Sequence, residues 1–266
     1  MAVATLTKTH EISPTKMPGH WLLARMGKRI LRPGGRELTH RMLDHLAINQ
    51  TDNVVEFAPG LGETARATLA LSPASYTAVE RDTDAAAAVC RVLSGDHQRC
   101  ISGTAEQTGL PSASASAVYG EAMLSMQLPP AKVRIVAEAA RLLRPGGRYG
   151  IHELCLSPDD VPDGIRGAIA RELSDDIHVG VRPLTVKEWR ELLESAGLKV
   201  AAVEMAPMHL LEPLRLIQDE GLFSAIRFVW NVATHAEARR RVLSMRGVFR
   251  KYKKHLAAVA IVAVKP

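Results

Sequence analysis

The chain reads as an α/β protein, a mainly parallel sheet with helices on both faces, on three observations. From residue 53 onward, short apolar runs alternate with helical patterns, the order that builds βαβ units. The step Gly60-Leu61-Gly62 lies between an apolar run over 53–57 and a helical pattern over 63–71, so it marks a strand-to-helix corner. A second apolar run, Tyr76-Thr77-Ala78-Val79, ends in the acid Glu80 about one helix and one strand later.

Taken in order, residues 17–47 predict two helices, 21–31 and 36–46, joined by a Pro33-Gly34-Gly35 turn. The alternating core follows, with 129–143 as its clearest helix. The stretch 183–198 is a well-signed helix: Thr185 can cap it, Glu188 completes a capping box and Gly197 terminates it. Residues 199–205 should form the next strand, and 257–264 (AAVAIVAV) another. The interval 207–255 reads as helical, and connections of that length in compact domains are usually functional.

Composition sets bounds. At 266 residues, one α/β domain with additions at its ends is expected. The 47% hydrophobic and 23% charged content is that of a globular protein, and no apolar run reaches the roughly 20 residues of a membrane helix. Residues 1–16 are polar and lack the apolar core of a signal peptide, so a cytoplasmic location is expected. Cys90, Cys100 and Cys155 are too few and too irregular for a disulfide framework or a zinc site; buried reduced thiols, and no metal, are expected.

Glycines at the corner let the backbone turn tightly and approach a ligand, while the following helix N-terminus contributes a partial positive charge. Glu56 stands at the mouth of that turn. In a pyrophosphate site it would add anion to anion. S-adenosylmethionine (SAM) has no phosphate and carries a sulfonium and an ammonium that a carboxylate attracts. Glu80 lies where a carboxylate would accept two hydrogen bonds from a ribose diol.

These residues resemble the class I SAM-dependent methyltransferases, whose first motif, an acid before a Gly-x-Gly-x-Gly turn, maps onto Glu56, Ala58, Gly60 and Gly62. Ala58 replaces the first glycine, which is tolerable if φ there is negative. Residues 101–107 (ISGTAEQ) are similar to the family's Gly-Asp-Ala segment beside the adenine, with Thr104 where aspartate is common. Residues 117–121 resemble the fourth strand, and Leu142-Leu143-Arg144-Pro145-Gly146-Gly147 the turn before the fifth. The resemblance implies a Rossmann-like seven-stranded sheet with the last strand antiparallel. It also implies an N-terminal helical cap over 1–50, a core over 51–206 and 256–266, and a helical insertion or lid over 207–255. The implied cofactor is SAM, with S-adenosylhomocysteine as product. Its implied binding residues are Glu56, Phe57, Ala58, Gly60, Gly62, Glu80, Arg81, Gly103, Thr104, Ala105 and Glu121.

The Asp/Asn-Pro-Pro-aromatic loop of base-modifying enzymes is absent after the fourth strand, where Gly120-Glu121-Ala122-Met123-Leu124 stands, and so is a cysteine nucleophile. A nucleic-acid acceptor is therefore disfavoured. The remainder resembles the small-molecule branch that includes ubiquinone- and menaquinone-biosynthesis-type enzymes, with a partly apolar acceptor and room for a homodimer. Candidate catalytic residues at the ends of the fourth and fifth strands are Glu121, His152 and Glu153; His152 could deprotonate a hydroxyl, or simply be hydrogen-bonded within the strand end. Trp21, His178 and His209 are weaker pocket candidates, and Met123, Met126, Met205 and Met208 suggest an adaptable apolar wall.

The net charge of +6 is concentrated in Arg239, Arg240, Arg241, Arg246, Arg250, Lys251, Lys253 and Lys254. Such a stripe could meet nucleic acid, an anionic membrane surface or an acidic substrate, and an RNA methyltransferase is the alternative it raises. Val242, Met245, Val248 and Phe249 at helical spacing favour a packed amphipathic helix with a solvated basic face. Outside the class, a NAD-dependent oxidoreductase shares the fold but conflicts with Glu56, and a non-catalytic SAM-binding protein shares the cofactor motifs.

Overall fold

A computed structural model describes residues 16–266; all but the last residue of the polar 1–16 stretch lies outside them. The strands are β1 (Asn53–Phe57), β2 (Ser75–Glu80), β3 (Gln98–Ser102), β4 (Ala115–Glu121), β5 (Leu143–Leu156), a two-residue β6 (Leu184–Thr185), β7 (Lys199–Pro207) and β8 (Leu256–Val264). They are ordered β3-β2-β1-β4-β5-β8-β7, with β6 beside β5. Strand β8 runs antiparallel to both its neighbours, β5 and β7, while β1 to β5 are parallel. This is the expected Rossmann-like sheet, with β6 in addition. The order reverses between β1 and β4, and open sheets of this kind bind ligands at the strand carboxyl ends beside such a reversal.

Period-2 alternation divides the sheet's side chains between two layers. On β8, Val259, Ile261 and Ala263 face one core with Trp189 and Leu193 of helix α7 (Val186–Ser195) and Ile135 and Val136 of α5 (Pro129–Leu142). Ala258, Ala260 and Val262 face the other, with Leu38, Met42 and Leu46 of α2 (Gly35–Leu46). Helix α7 carries the complete capping box at Thr185 and Glu188 and closes at Gly197, whose φ is +79°. The Pro145-Gly146-Gly147 step lies within β5 as an irregularity, the register passing from Ala115↔Leu143 to Ala117↔Arg148.

A third core joins α1 (Gly19–Arg25) and α6 (Asp163–Ile177) to three helices between β7 and β8: α8 (Pro213–Glu220), α9 (Leu222–Thr234) and α10 (Ala236–Lys251). On α10, Ala238, Val242, Met245 and Phe249 are buried, and the basic stripe is largely engaged within the molecule. Arg246 and Arg250 pair with Glu212 at 2.9 and 3.3 Å, Lys251 with Glu172 at 2.7 Å, and Arg241 donates to the carbonyls of Met17 and Asp176.

Two expectations are corrected. Helix α1 stops at Arg25 instead of 31, because Gly27 turns the chain at φ +104° and the N–H groups of Arg29 and Ile30 donate to Glu220 Oε1 at 2.9 and 2.8 Å instead of continuing a helix. Of the cysteines only Cys155 is buried; Cys100 is half-buried and Cys90 exposed, because its helix α4 (Thr83–Cys90) ends at the surface.

The segment between α1 and α2 is clamped on α8. Lys28, with no exposed side-chain surface, lies 3.6 Å from Glu220 and 4.0 Å from Asp219, and Asp219 accepts the Arg36 N–H at 3.0 Å. Gly35 makes that approach possible at φ +62°, where an added Cβ would stand 2.4 Å from Asp219 Oδ1. Gly35→Ala should therefore destabilise the protein by about 2–4 kcal/mol, from strain and displacement of a buried carboxylate. Urea unfolding checks this; an unchanged midpoint would contradict the clamp.

Candidate active site

The loops leaving the carboxyl ends of β1 to β4 surround a cavity of about 430 Å³, within the size range of small-molecule sites. Nine of the eleven residues expected to bind the cofactor line it: Glu56, Ala58 and Gly60 after β1, Glu80 and Arg81 after β2, Gly103, Thr104 and Ala105 after β3, and Glu121 at the end of β4. Phe57 and Gly62 do not. Phe57, the last residue of β1, is fully buried in the core on one face of the sheet, and a Cβ on Gly62 would meet Val92 at 3.1 Å, so that glycine serves helix packing. Pro18, His20, Trp21, Arg29, Leu31 and Arg32 of the N-terminal segment form the opposite wall.

The β1 loop is held by backbone and carboxylate contacts. Ala58 N–H donates to Val79 O at 2.9 Å and Gly62 N–H to Pro59 O at 3.0 Å. Ala58 itself adopts φ +50°, so the condition of a negative φ is not met: the alanine occupies the left-handed region that a glycine takes freely, at a cost of about 1 kcal/mol. Glu80 ties the loop to β2, its Oε2 accepting Gly60 N–H at 3.2 Å and its Oε1 accepting Arg81 and Asp82 N–H at 2.9 and 3.0 Å. A Cβ on Gly60, at φ +57°, would meet no protein atom within 4 Å.

Glu56 is buried, with Oε2 accepting the Tyr119 hydroxyl at 2.7 Å and the Tyr76 hydroxyl more closely. Burial pushes its carboxyl up to about 7, against the two tyrosine hydrogen bonds. Glu121 is buried too but behaves oppositely. Burial alone would raise it, yet the Arg32 guanidinium at 3.3 Å, His152 at 2.8 Å and the Thr39 hydroxyl at 2.6 Å outweigh burial and hold it at about 2. Thr64 of α3 (Glu63–Ala70) donates to its other oxygen.

The two remaining catalytic candidates are both hydrogen-bonded within the protein, His152 away from either cavity and Glu153 at the wall of a second, smaller one. His152 is fully buried behind Glu121 and lines neither cavity; its Nδ1 faces Glu121 and its Nε2 the carbonyl of Pro33. With both ring nitrogens on acceptors, it holds no lone pair toward a substrate, so the hydrogen-bonded reading fits. Glu153 accepts the N–H groups of Met123 and Leu124 at 2.8 and 2.6 Å and of Ser125 at 3.0 Å, which caps the turn after β4. Burial raises its pKa against those bonds.

A second, smaller chamber of about 70 Å³ adjoins the first and is almost wholly apolar. Leu23, Leu154, Ile177, Val181, Met208, Leu210, Met245 and Phe249 line it, and His20, Leu31, Ala122 and Met126 belong to both chambers. Of the methionines expected in an apolar wall, Met123 and Met126 line the larger chamber and Met208 the smaller, whereas Met205 is exposed on β7. Trp21 lines the larger chamber; His178, the C-cap of α6, and His209 line neither. His20 was not singled out in the sequence. Its Nδ1 is buried without a hydrogen-bond partner, and burial lowers its pKa to about 4, against Asp82 and aided by Arg81. No sequence signal separates it from an ordinary helix histidine. Among the described residues, no group of three or more His, Cys, Asp or Glu is placed to hold a metal.

The raised pKa of Glu56 has a measurable consequence. The folded chain retains on Glu56 a proton that the unfolded chain has released, so the contribution of Glu56 to stability falls as pH rises from about 4.5 to about 7 and stays lower above it, while His20 acts in the opposite sense between about 4 and 6.5. Glu56→Gln should flatten that decline, gaining on the order of 2–3 kcal/mol above pH 7 while keeping acceptors for both tyrosines. Glu121, held at about 2, loses its contribution only as pH falls below about 4.5, outside this window. Denaturant unfolding across pH checks it; an unchanged slope between about pH 5 and 7 in the variant would refute the buried protonated carboxyl.

Comparison with known proteins agrees with this geometry. Residues 55–151 match the model of a family described as a methyltransferase domain. Over 247 residues the chain is 30% identical to an uncharacterized protein of Haemophilus influenzae, covering 91% of this chain and 96% of that one. The fold is similar to that of Haemonchus contortus phosphoethanolamine N-methyltransferase 2 bound to SAM, with a TM-score of 0.71 and 13% identity over all of this chain and 61% of the other. It is also similar to geranyl diphosphate methyltransferase in complex with GPP and sinefungin, with a TM-score of 0.63 and 17% identity over 86% of this chain and 76% of the other. No helix among the described residues is long and apolar enough to cross a membrane. With the acid-led glycine turn, the Glu80 strand end and the sheet order all in place, the chain belongs to the class I SAM-dependent methyltransferases.

Proposed function

We propose that the enzyme methylates a small, partly apolar molecule whose apolar part occupies the smaller chamber while SAM occupies the larger. The observation that carries this reading is the wall common to the two, formed by His20, Leu31, Ala122 and Met126. A small apolar compartment beside a larger one of mixed polar and apolar lining suits a donor and an acceptor meeting at that wall. The enzymes named above that act on geranyl diphosphate and phosphoethanolamine have the same fold, which supports a small acceptor as a class without identifying it.

In this reading Glu80 accepts from the ribose diol at Oε2, where the single Gly60 N–H leaves a lone pair free, and the 103–105 segment borders the adenine. Gly60 leaves its backbone open to the ligand, since the space a Cβ would take is empty. Glu121 supplies negative charge at the donor's cationic end, and Glu56, protonated below about pH 7, releases its proton as that cation binds beside it. Neither His152 nor Glu153 is assigned a catalytic role. When bound, SAM supplies a methyl carbon already activated by its sulfonium, so the chain's task is to align acceptor and donor and exclude water. The 17–50 segment and the 207–255 insertion perform that enclosure, meeting over the smaller chamber through Leu23, Leu31, Met208 and Phe249. His20, neutral at pH 7, can accept a hydrogen bond from a polar group at the junction.

Two variants separate the chambers. Glu80→Ala should weaken SAM binding by about ten- to hundredfold through lost hydrogen bonds and a loosened loop. Leu210→Trp, filling only the smaller chamber, should keep SAM affinity and abolish labelled methyl transfer to metabolite extracts. Calorimetry and a transfer assay check both. Wild-type SAM affinity in Glu80→Ala, or unimpaired transfer in Leu210→Trp, would refute the assignment.

A further inference from the structure

Helix α9 is apolar on both sides, yet only one side is covered. Ala225, Phe228 and Val232 pack into the core, while Leu222, Phe223, Ile226, Val229 and Trp230 form a second stripe that faces outward. Phe223 is 88% and Trp230 69% exposed, and the other three are more than half exposed. A helix apolar all round is ordinarily buried, and a contiguous patch of this kind marks an interaction surface. Helix α8, joined to α9 at Gly221, exposes Leu214 and Ile217 as well.

The charge around the stripe indicates its occupant. Helix α9 contains no acid, and its one charged residue, Arg227, is exposed between Phe223 and Trp230 at i+4 and i+3. Arg239, which donates to the carbonyl of Ala233, and the exposed Arg240 stand at its carboxyl end. A second copy seated face to face would set these arginines against their own counterparts on a protein of net charge +6. An anionic lipid surface complements them, and aromatic and aliphatic tips beside arginines form an interfacial membrane-binding face.

We propose that the outer face of α9 docks the enzyme on an anionic lipid surface, with Phe223 and Trp230 inserted at the headgroup boundary and Arg227, Arg239 and Arg240 on the phosphates. The inference stands independently of the acceptor's identity. Co-sedimentation with phosphatidylcholine vesicles, with and without phosphatidylglycerol, tests it. The wild-type chain should bind the anionic vesicles, more weakly at high salt. The double variant Phe223→Ser, Trp230→Ser should lose about tenfold or more in partitioning while keeping its SAM affinity. If that variant fails to fold, Arg227→Glu with Arg240→Glu should lower binding to anionic vesicles alone. Absence of wild-type binding, or binding that the substitutions do not change, would overturn the proposal. So would light scattering that shows a dimer dissolved by Phe223→Ser, Trp230→Ser without vesicle binding, because a second copy would then cover the face.

Discussion

One buried carboxylate, Glu121, holds the site together. It stands at the carboxyl end of β4, and its two oxygens meet Thr39 of α2, Thr64 of α3, His152 of β5 and the Arg32 guanidinium. These partners come from four parts of the chain, and Arg32 also donates to the Thr39 hydroxyl at 2.6 Å, so the contacts form one network. A charge with so little water around it is tolerable only while every partner is present, so the network is strict about geometry. It also positions the N-terminal segment: His152 reaches on to the carbonyl of Pro33, in the turn that starts α2.

From that anchor the remainder of the enclosure follows. The 26–36 segment, fixed through Arg32 and Pro33 to Glu121 of β4 and His152 of β5, is gripped from outside by Asp219 and Glu220 of α8. Cap and insertion therefore meet each other as well as the core, and the apolar chamber lies where they do. Lys28 Nζ, Asp219 Oδ2 and Glu220 Oε2 lack hydrogen-bond partners in this grip, a costly arrangement for buried charged groups. The insertion thus serves two surfaces, its inner side completing a chamber and its outer side carrying the uncovered stripe of α9.

Much of this was legible in the sequence because it rests on local rules. The capping box at Thr185 and Glu188, the glycine corner after β1 and the apolar alternation of β8 each follow from a few neighbouring residues. The order of motifs from Glu56 to Gly147 then implied the sheet, and nine of the eleven cofactor candidates line one cavity. What was not legible depends on distant partners. The positive φ of Ala58 is imposed by the Val79 carbonyl and the loop that follows, and the early end of α1 by Glu220. His152 is occupied by Pro33 and Glu121, one 119 and the other 31 residues away, so its type alone suggested chemistry that its neighbours exclude. The helical spacing of α9 is correct for a buried helix, and only the packing shows that half of it faces outward.

A crystal structure with S-adenosylhomocysteine tests the central claim most directly. The account predicts the ribose hydroxyls on Glu80, the adenine beside residues 103–105, and the amino-acid end directed toward Glu56 and Glu121, beside the wall that the two chambers share. Density for the ligand outside this cavity, or a ribose held by residues other than Glu80, would contradict it.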